Sequence, residues 1–188
     1  MCIGASWGGL QALSRLLADV PDEIDQPIAI AQHRHSEAGS ALAKLLGEHT
    51  RRPVHDVEDK SPIEPRHVYL APSDYHLLVE PGSFALSVDE RVQHARPSID
   101  VLFESAADAY GERVIGVILT GANEDGAAGL ARIKRRGGAA IVQDPGSAER
   151  RAMPDAAIAA TVADAILPLE EIGRFLCSLC LDTAKVRQ

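Results

Sequence analysis

The sequence predicts an α/β protein with a doubly wound, mostly parallel sheet, an antiparallel hairpin at the edge of that sheet, and helices on both faces. Short apolar strands alternate with stretches of helical periodicity along the 188 residues. Most of these strands are continuously apolar, which is typical of parallel strands buried on both faces. Clusters of polar residues come directly after several of them. The length is that of one domain, so we expect a single domain over residues 1–188.

The elements are predicted in order along the chain. A first strand ends at Ala5, and Leu10, Leu13, Leu16 and Leu17 recur at helical spacing after it. Further strands are predicted at 27–31, 53–57, 67–71, 76–80, 83–88, 114–119 and 139–143. Further helices are predicted at 38–46, 99–110, 126–136, 154–161 and 170–181, the second of them with Ser98 as its N-cap. Pro81-Gly82 predicts the tight turn of the hairpin.

Composition excludes several classes of protein. A formal charge of −8 argues against nucleic-acid binding, which needs a basic surface. No apolar run approaches the roughly 20 residues of a membrane span, and no signal peptide precedes the first strand, so we expect a cytoplasmic protein without membrane insertion. Cys177 and Cys180 form a C-x-x-C, but they lie in an apolar helical stretch without a second ligand pair. We therefore expect buried thiols there rather than a metal site.

The most informative motif is the glycine-rich segment Gly4-Ala-Ser-Trp-Gly-Gly9 between the first strand and the first helix. Gly4, Ser6 and Gly8 fit the G-x-S-x-G elbow that exposes the nucleophile of serine hydrolases. The same segment also resembles a dinucleotide-binding loop in which serine replaces the second glycine. A plain glycine turn is the third interpretation, and this segment alone does not decide among the three.

Polar residues at two other strand ends favour the nucleophile. His33 comes after the second strand, and Asp125 comes after the strand at 114–119. Parallel strands deliver such residues to one edge, so Ser6, His33 and Asp125 are expected to converge there as a hydrolytic triad. His35 is the rival of His33, and Glu124 is the rival of Asp125. An H-x-H metal pair at His33 and His35 lacks a third ligand, and Asp125 also fits a cap for the helix after it.

Collinear blocks give the chain a specific family resemblance. They are Ile3-Gly-Ala-Ser-Trp-Gly-Gly9, Gln32-His33, Tyr69-Leu-Ala-Pro72, Arg96-Pro-Ser-Ile-Asp-Val-Leu-Phe103, Val117-Ile-Leu-Thr-Gly121, Asp125-Gly-Ala-Ala-Gly129 and Met153-Pro154. Together they resemble the catalytic domain of the chemotaxis receptor methylesterases (CheB). The resemblance implies hydrolysis of glutamate methyl esters on the cytoplasmic helices of methyl-accepting chemotaxis receptors, with glutamine deamidation in many members. It implies Ser6 as nucleophile, His33 as base, Asp125 as triad acid and the Ala122 N–H as an oxyanion donor, without a metal or organic cofactor.

Three departures from the family pattern affect these expectations. Trp7 stands where a small or hydroxylated residue is usual, and Ala122 stands where methionine is common; both belong to the expected substrate pocket. The N-terminal receiver domain common in the family is absent from this sequence. We therefore expect activity independent of phosphodonors, with any restraint coming from a separate regulatory protein. The competing functions are an inactive binding module on the same scaffold and a serine hydrolase with another protein substrate.

Overall fold

A computed structural model describes residues 1–21, 24–34 and 41–185, with side chains described as far as Cys180. In chain order the strands are β1 (Cys2–Ala5), β2 (Ile28–Gln32), β3 (Val54–Asp56), β4 (Val68–Leu70), β5 (His76–Glu80), β6 (Ser83–Ser87), β7 (Ile115–Ile118), β8 (Ala139–Gln143) and β9 (Ala165–Leu167). The helices are α1 (Gly9–Asp19), α2 (Ala41–Gly47), α3 (Ile99–Tyr110), α4 (Ala127–Arg135), α5 (Ala152–Ala160) and α6 (Leu169–Lys185).

The main sheet has seven strands in the order β3-β4-β2-β1-β7-β8-β9, and all neighbouring pairs are parallel. Strand β1 lies between β2 and β7, so the chain builds the sheet outward from β1 in two opposite directions. Such a reversal opens a crevice at the carboxyl ends of the strands, which is where ligands bind in sheets of this kind. The doubly wound parallel fold predicted from the sequence is confirmed.

Helices cover both faces of the sheet because side chains alternate between the faces along each strand. Ile3 packs with α1 and α6 in one core layer, whereas Cys2 packs with α3 and α4 in the other. Leu13, Leu16 and Leu17 of α1 are fully or almost fully buried in the first layer, as their helical spacing predicts. Within the described ranges, no helix has both the length and the apolar character needed to cross a membrane.

The predicted hairpin forms, but it is a separate two-stranded sheet and does not extend the edge of the main sheet. Strands β5 and β6 pair antiparallel with each other, in the register His76 to Ser87. Leu77 and Phe84 are buried at 0% and 1% exposure in the same core layer as α3, and the Val79 N–H donates to Ser105 Oγ at 3.0 Å. The apolar side of the hairpin therefore packs on α3.

Element bounds agree with the sequence prediction to within a few residues, with three exceptions. The three-residue strand β9 was not predicted, because Ala165–Leu167 is too short to show a period. The predicted helix 38–46 is described only from Ala41, and its earlier residues lie outside the described part of the chain. The last helix extends to Lys185. The N-cap of α3 is confirmed, since Ser98 Oγ accepts from the Val101 N–H at 3.4 Å.

Candidate active site

The glycine-rich segment forms a tight turn that begins at the carboxyl end of β1. Gly8 has φ 77°, a left-handed conformation that disfavours other residues, and it is the N-cap of α1. The Gly9 N–H donates to the Ser6 carbonyl at 2.9 Å, and the Ser6 N–H donates to Thr120 O at 3.0 Å, beyond the end of β7. Ser6 is half-buried. The turn therefore holds the serine between two strand ends with part of its surface accessible.

Gln32, the last residue of β2, fixes the loop that carries His33. Its side-chain amide donates to the carbonyls of both Ser6 and His33, at 2.9 and 2.8 Å. The His33 N–H donates to Ala5 O at 3.0 Å. These bonds join the carboxyl ends of β1 and β2 directly. The sequence pattern includes the Gln32-His33 pair, but it assigns no physical role to the glutamine.

Asp125 is buried at the start of two helices, and its side chain is 0% exposed. Oδ2 accepts from His33 Nε2 and the Ile99 N–H, both at 2.7 Å. Oδ1 accepts from Ser98 Oγ at 2.8 Å and the Asp100 N–H at 3.0 Å. Asp125 thus caps α3. The sequence also offered Asp125 as a cap for the helix after it, but the N-cap residue of that helix is Gly126.

Hydrogen bonding keeps Asp125 ionised despite its burial. Burial alone would raise the pKa of Asp125, but the bonds from His33, Asp100 and Ile99 outweigh burial and hold this pKa below its usual value. The carboxylate is therefore an acceptor toward the imidazole, which keeps the proton of neutral His33 on Nε2. Nδ1 is left with a lone pair, and it lies 3.2 Å from Ser6 Oγ. The three predicted side chains form a continuous hydrogen-bonded chain.

A second buried carboxylate, Asp100, binds the backbone directly after Asp125. Its Oδ1 accepts from the N–H groups of Gly126 and Gly129, at 2.9 and 2.7 Å. The two acids therefore cap each other's helices. Asp125, which precedes α4, binds N–H groups at the start of α3, and Asp100, which lies in α3, binds N–H groups at the start of α4. Burial raises the pKa of Asp100 to about 6, with the charges of Asp125 and Glu104 adding to the effect and the bonds from Gly129 and Gly126 opposing it.

This raised pKa predicts an unusual dependence of stability on pH. Between about pH 4 and pH 6 the folded protein holds a proton on Asp100 that the unfolded chain has already lost. The contribution of Asp100 to the free energy of unfolding should therefore fall as the pH rises through that window, by on the order of 1–3 kcal/mol. Denaturant unfolding of the wild type and Asp100→Asn, at intervals from pH 4 to 6.5, measures it.

Asp100→Asn is a suitable comparison because its side-chain oxygen still accepts from Gly126 and Gly129. The variant should lose the decline in stability across the window while keeping the other titrations of the wild type. Identical pH slopes for the two proteins would contradict the assignment to Asp100.

The rival residues have different positions. Glu124 is exposed, and its side chain makes no hydrogen bond or ion pair with another described residue. His35 lies outside the described residues, so its competition with His33 is not decided by geometry. His76 is buried and structural, with Nδ1 accepting from the Ser98 N–H at 3.2 Å. The remaining histidines, His49, His55, His67 and His94, are exposed or half-buried.

Two consecutive residues, Ala122 and Asn123, follow Thr120, the residue whose carbonyl accepts from the Ser6 N–H. Ala122 is exposed, and its N–H donates to no other described residue. Asn123 was not predicted as a site residue, yet its Nδ2 lies 3.3 Å from His33 Nδ1. No sequence signal distinguishes Asn123 from an ordinary loop asparagine; its position depends on how Asp125 anchors the end of this loop.

Trp7, the residue after Ser6, is 58% exposed, and contacts with Glu149 and Arg150 hold its side chain. Its indole Nε1–H donates to Glu149 at 2.9 Å, and the Arg150 guanidinium lies 5.2 Å from the ring centroid. Thr120 anchors both segments, because its Oγ1 donates to Trp7 O at 3.0 Å and accepts from the Arg150 N–H at 2.8 Å. Trp7 and Arg150 therefore form a fixed, exposed surface beside Ser6.

Other features lie away from this edge. A cavity of about 650 Å³ opens at the amino ends of the strands, near Cys2, Pro27, Ile115 and Ala139. Ser6, His33 and Asp125 do not line it. Cys180 is buried, as the interpretation of the C-x-x-C as core residues predicts, and Cys177 is half-buried. Within the described ranges, no three histidine, cysteine or carboxylate side chains cluster as a metal site would require.

The family model and the related proteins described below are all methylesterases by description. A family model described as CheB methylesterase matches residues 1–176. A putative protein-glutamate methylesterase/protein-glutamine glutaminase of Leptospira interrogans is 44% identical over 178 residues, covering 94% of this chain and 92% of that protein. The protein-glutamate methylesterase FrzG of Myxococcus xanthus is 40% identical over 177 residues, which cover 94% of this chain and 53% of FrzG.

Among solved structures, the crystal structure of the Thermotoga maritima CheB methylesterase catalytic domain superposes with a TM-score of 0.90. Its sequence is 32% identical, and the match covers 95% of this chain and 96% of that domain. At this coverage the likeness extends over nearly the whole fold.

Proposed function

Because the chain belongs to the CheB methylesterase family, we propose that it hydrolyses glutamate methyl esters on the cytoplasmic helices of methyl-accepting chemotaxis receptors, with Ser6, His33 and Asp125 as its catalytic triad. The observation that carries the proposal is the continuous contact from Ser6 Oγ to His33 Nδ1 at 3.2 Å and from His33 Nε2 to Asp125 at 2.7 Å. Such a nucleophile, base and orienting acid are what acyl transfer requires.

Acylation begins with attack of Ser6 Oγ on the γ-carbonyl carbon of the ester. The Ser6 proton passes to His33 Nδ1, which Asp125 leaves unprotonated, while the carbonyl π electrons move onto the oxygen. Collapse of this intermediate breaks the bond to the methoxy group. The leaving methoxide takes the proton from His33 Nδ1 and departs as methanol, leaving a glutamyl ester on Ser6.

Charge that develops on the carbonyl oxygen needs hydrogen-bond donors. The Ala122 N–H supplies one of them. Ala122 is an exposed residue of the loop after β7, and its N–H donates to no other described residue. A residue without a long side chain at this position also leaves the approach to the N–H open.

Deacylation repeats the same steps with water. His33 removes a proton from water, the hydroxide attacks the acyl carbon, and Ser6 leaves with the proton that His33 returns. Glutamine deamidation takes the same route, with ammonia in place of methanol as the first product. Every step is a proton transfer, an attack at the acyl carbon or the departure of a leaving group from it, so the proposal calls for no cofactor.

Trp7 and Arg150 contact the receptor helix around the reacting glutamate. Trp7 presents an exposed ring next to Ser6, and Arg150 lies over that ring without an ion pair to any described residue. Methylatable receptor segments carry glutamates, so an arginine here provides local attraction on a chain whose net charge of −8 otherwise repels an acidic partner.

Reversing this charge tests the contact. Arg150→Glu should raise KM for an acidic methylated receptor peptide by about three- to tenfold and leave kcat within about twofold, because the residue binds substrate without touching the reacting atoms. The effect should shrink between roughly 0.05 and 0.3 M salt as the charges are screened. Initial rates over a range of peptide concentrations at both salt levels measure it.

Arg151→Glu is the matched control. It makes the same change in net charge one residue away, at a side chain that pairs with Asp155 at 2.7 Å rather than with Trp7. Equal increases in KM for the two variants would indicate a general charge effect and would reject the proposed contact.

The activity itself is tested by methanol release from a methylated receptor fragment. Wild-type protein should release one methanol for each ester lost, and Ser6→Ala should release none above the blank. A folded wild-type protein that binds the fragment but releases no methanol would contradict the proposal and support the inactive binding module. Hydrolysis of simple esters without any receptor ester cleaved would point to a serine hydrolase with another substrate.

A further inference from the structure

We infer that Asn123 is a further catalytic residue, whose side-chain amide donates a hydrogen bond to the oxyanion of the tetrahedral intermediate. The inference rests on the proposed function, because it concerns the same acyl-transfer step. It adds a side-chain donor to the backbone N–H of Ala122. Since the two donors come from consecutive residues, one short loop would supply both.

The orientation of the amide follows from the protonation of His33. Asp125 accepts from Nε2 at 2.7 Å, so the proton of the neutral imidazole is on Nε2 and Nδ1 is an acceptor. The group 3.3 Å from Nδ1 must then be a donor, which is the NH₂ of Asn123. Ser6 Oγ lies 3.2 Å from the same Nδ1. The hydroxyl and the amide therefore converge on one lone pair.

The reaction frees the Asn123 amide from His33 Nδ1 at the step in which the oxyanion forms. When Ser6 attacks, its proton moves to Nδ1, and a protonated Nδ1 can no longer accept a bond from Asn123. At the same moment negative charge develops on the substrate oxygen bonded to the carbon that Ser6 has attacked. The Asn123 amide thus loses His33 Nδ1 as its acceptor while the oxyanion forms beside it. A hydrogen bond to the charged oxyanion is stronger than one to a neutral nitrogen.

The surroundings of Asn123 allow its side chain to turn while the main chain stays fixed. Asn123 Oδ1 is buried and has no hydrogen-bond partner within the described part of the chain, so nothing there tethers the other end of the amide. The loop itself is held on both sides: the Gly121 N–H donates to Arg150 O at 3.0 Å, and Asp125 is bound by four donors.

A purely positioning role is the competing explanation, in which the Asn123 amide only holds the His33 ring in place in the resting state. Sulfur distinguishes the two roles. A thionoester develops its negative charge on sulfur, a poorer hydrogen-bond acceptor than oxygen, whereas the transfer of the Ser6 proton to His33 is common to both substrates. An oxyanion donor therefore matters mainly for the oxygen ester, and a positioning residue matters equally for both.

The experiment compares kcat/KM for a short glutamyl peptide γ-methyl ester and its thionoester, using wild type, Asn123→Ala and Asn123→Ser. Asn123→Ala should lower kcat for the ester by about 10²-fold or more with KM within about twofold, as for other oxyanion-hole side chains. Its thionoester rate should fall by less than about threefold. Asn123→Ser, which keeps a shorter donor, should lie between wild type and Asn123→Ala on the ester.

Equal losses on the two substrates would overturn the inference, and so would an ester kcat within about threefold of wild type. Glu124→Ala is the matched control, an exposed neighbour in the same loop, and it should leave both rates unchanged. Thermal unfolding of each variant identifies any that fail to fold, and Asn123→Ser then provides the comparison. If Ser6→Ala retains ester hydrolysis, the proposed function fails; if Ser6→Ala is inactive and Asn123→Ala is not impaired, only the inference about Asn123 fails.

Discussion

Ser6→Ala is expected to lower methanol release by at least about 10⁴-fold while the protein stays folded. Removing the nucleophile of a triad leaves only the catalysis that donors and substrate binding provide. Folding should be preserved because the contacts of Ser6 that hold the turn are made by its backbone, to Gly9 N, Thr120 O and Gln32 Nε2. The measurement is methanol released per enzyme from a methylated receptor fragment, with circular dichroism of both proteins.

Ser14→Ala is the matched serine control for this first result. Ser14 lies on α1, the helix that begins directly after the turn, so its replacement removes one hydroxyl close to the site in sequence. The variant should retain wild-type methanol release. Release by folded Ser6→Ala close to that of Ser14→Ala would rule out Ser6 as the nucleophile.

His33→Ala is expected to be about as damaging as Ser6→Ala. The two residues act as a unit, since Ser6 cannot lose its proton without the Nδ1 lone pair 3.2 Å away. Methanol release by the double variant should be no lower than by either single variant, because neither residue contributes to catalysis once the other is missing. Methanol release by the two single variants and the double variant measures this dependence.

The rival residues supply the controls for this second result. His35→Ala and Glu124→Ala should remain active, since the resemblance selects His33 over His35 and the geometry joins Asp125 rather than Glu124 to the imidazole. Activity retained in His33→Ala but lost in His35→Ala would require a different base and a different arrangement of the strand-end loop.

Periodicity and strand ends were sufficient to predict much of the fold and the sheet edge at which Ser6, His33 and Asp125 meet, whereas the family resemblance selected His33 over His35. Continuous apolar strands indicated a parallel sheet, and parallel strands place the loops at their carboxyl ends along one edge. Ser6, His33 and Asp125 could therefore be brought together from the sequence alone. Pro81-Gly82 predicted the hairpin, but the sequence did not predict that the hairpin packs on α3. A hairpin at a sheet edge and a hairpin on a helix show the same apolar alternation, so the pattern does not distinguish them.

The features that the sequence could not predict depend on contacts between distant segments. The sequence offered Asp125 as a cap for the helix after it, whereas Asp125 caps α3, where its partner Asp100 lies 25 residues upstream along the chain. Burial of Asp100 raises its pKa, and the charge of Asp125, distant along the chain, adds to that effect. Thr120 binds the main chain of both Trp7 and Arg150, and the Asn123 amide lies 3.3 Å from His33 Nδ1. None of these pairings has a local sequence signature.

Covalent labelling with a fluorophosphonate tests most directly that Ser6 is a nucleophile activated by His33. The serine oxygen displaces fluoride from phosphorus, and peptide mass mapping then identifies the modified residue. We expect one adduct on the peptide that contains Ser6, slowed by a methylated receptor fragment and absent from His33→Ala. A preparation that releases methanol while Ser6 stays unmodified, or that carries the adduct on another residue, would contradict this assignment.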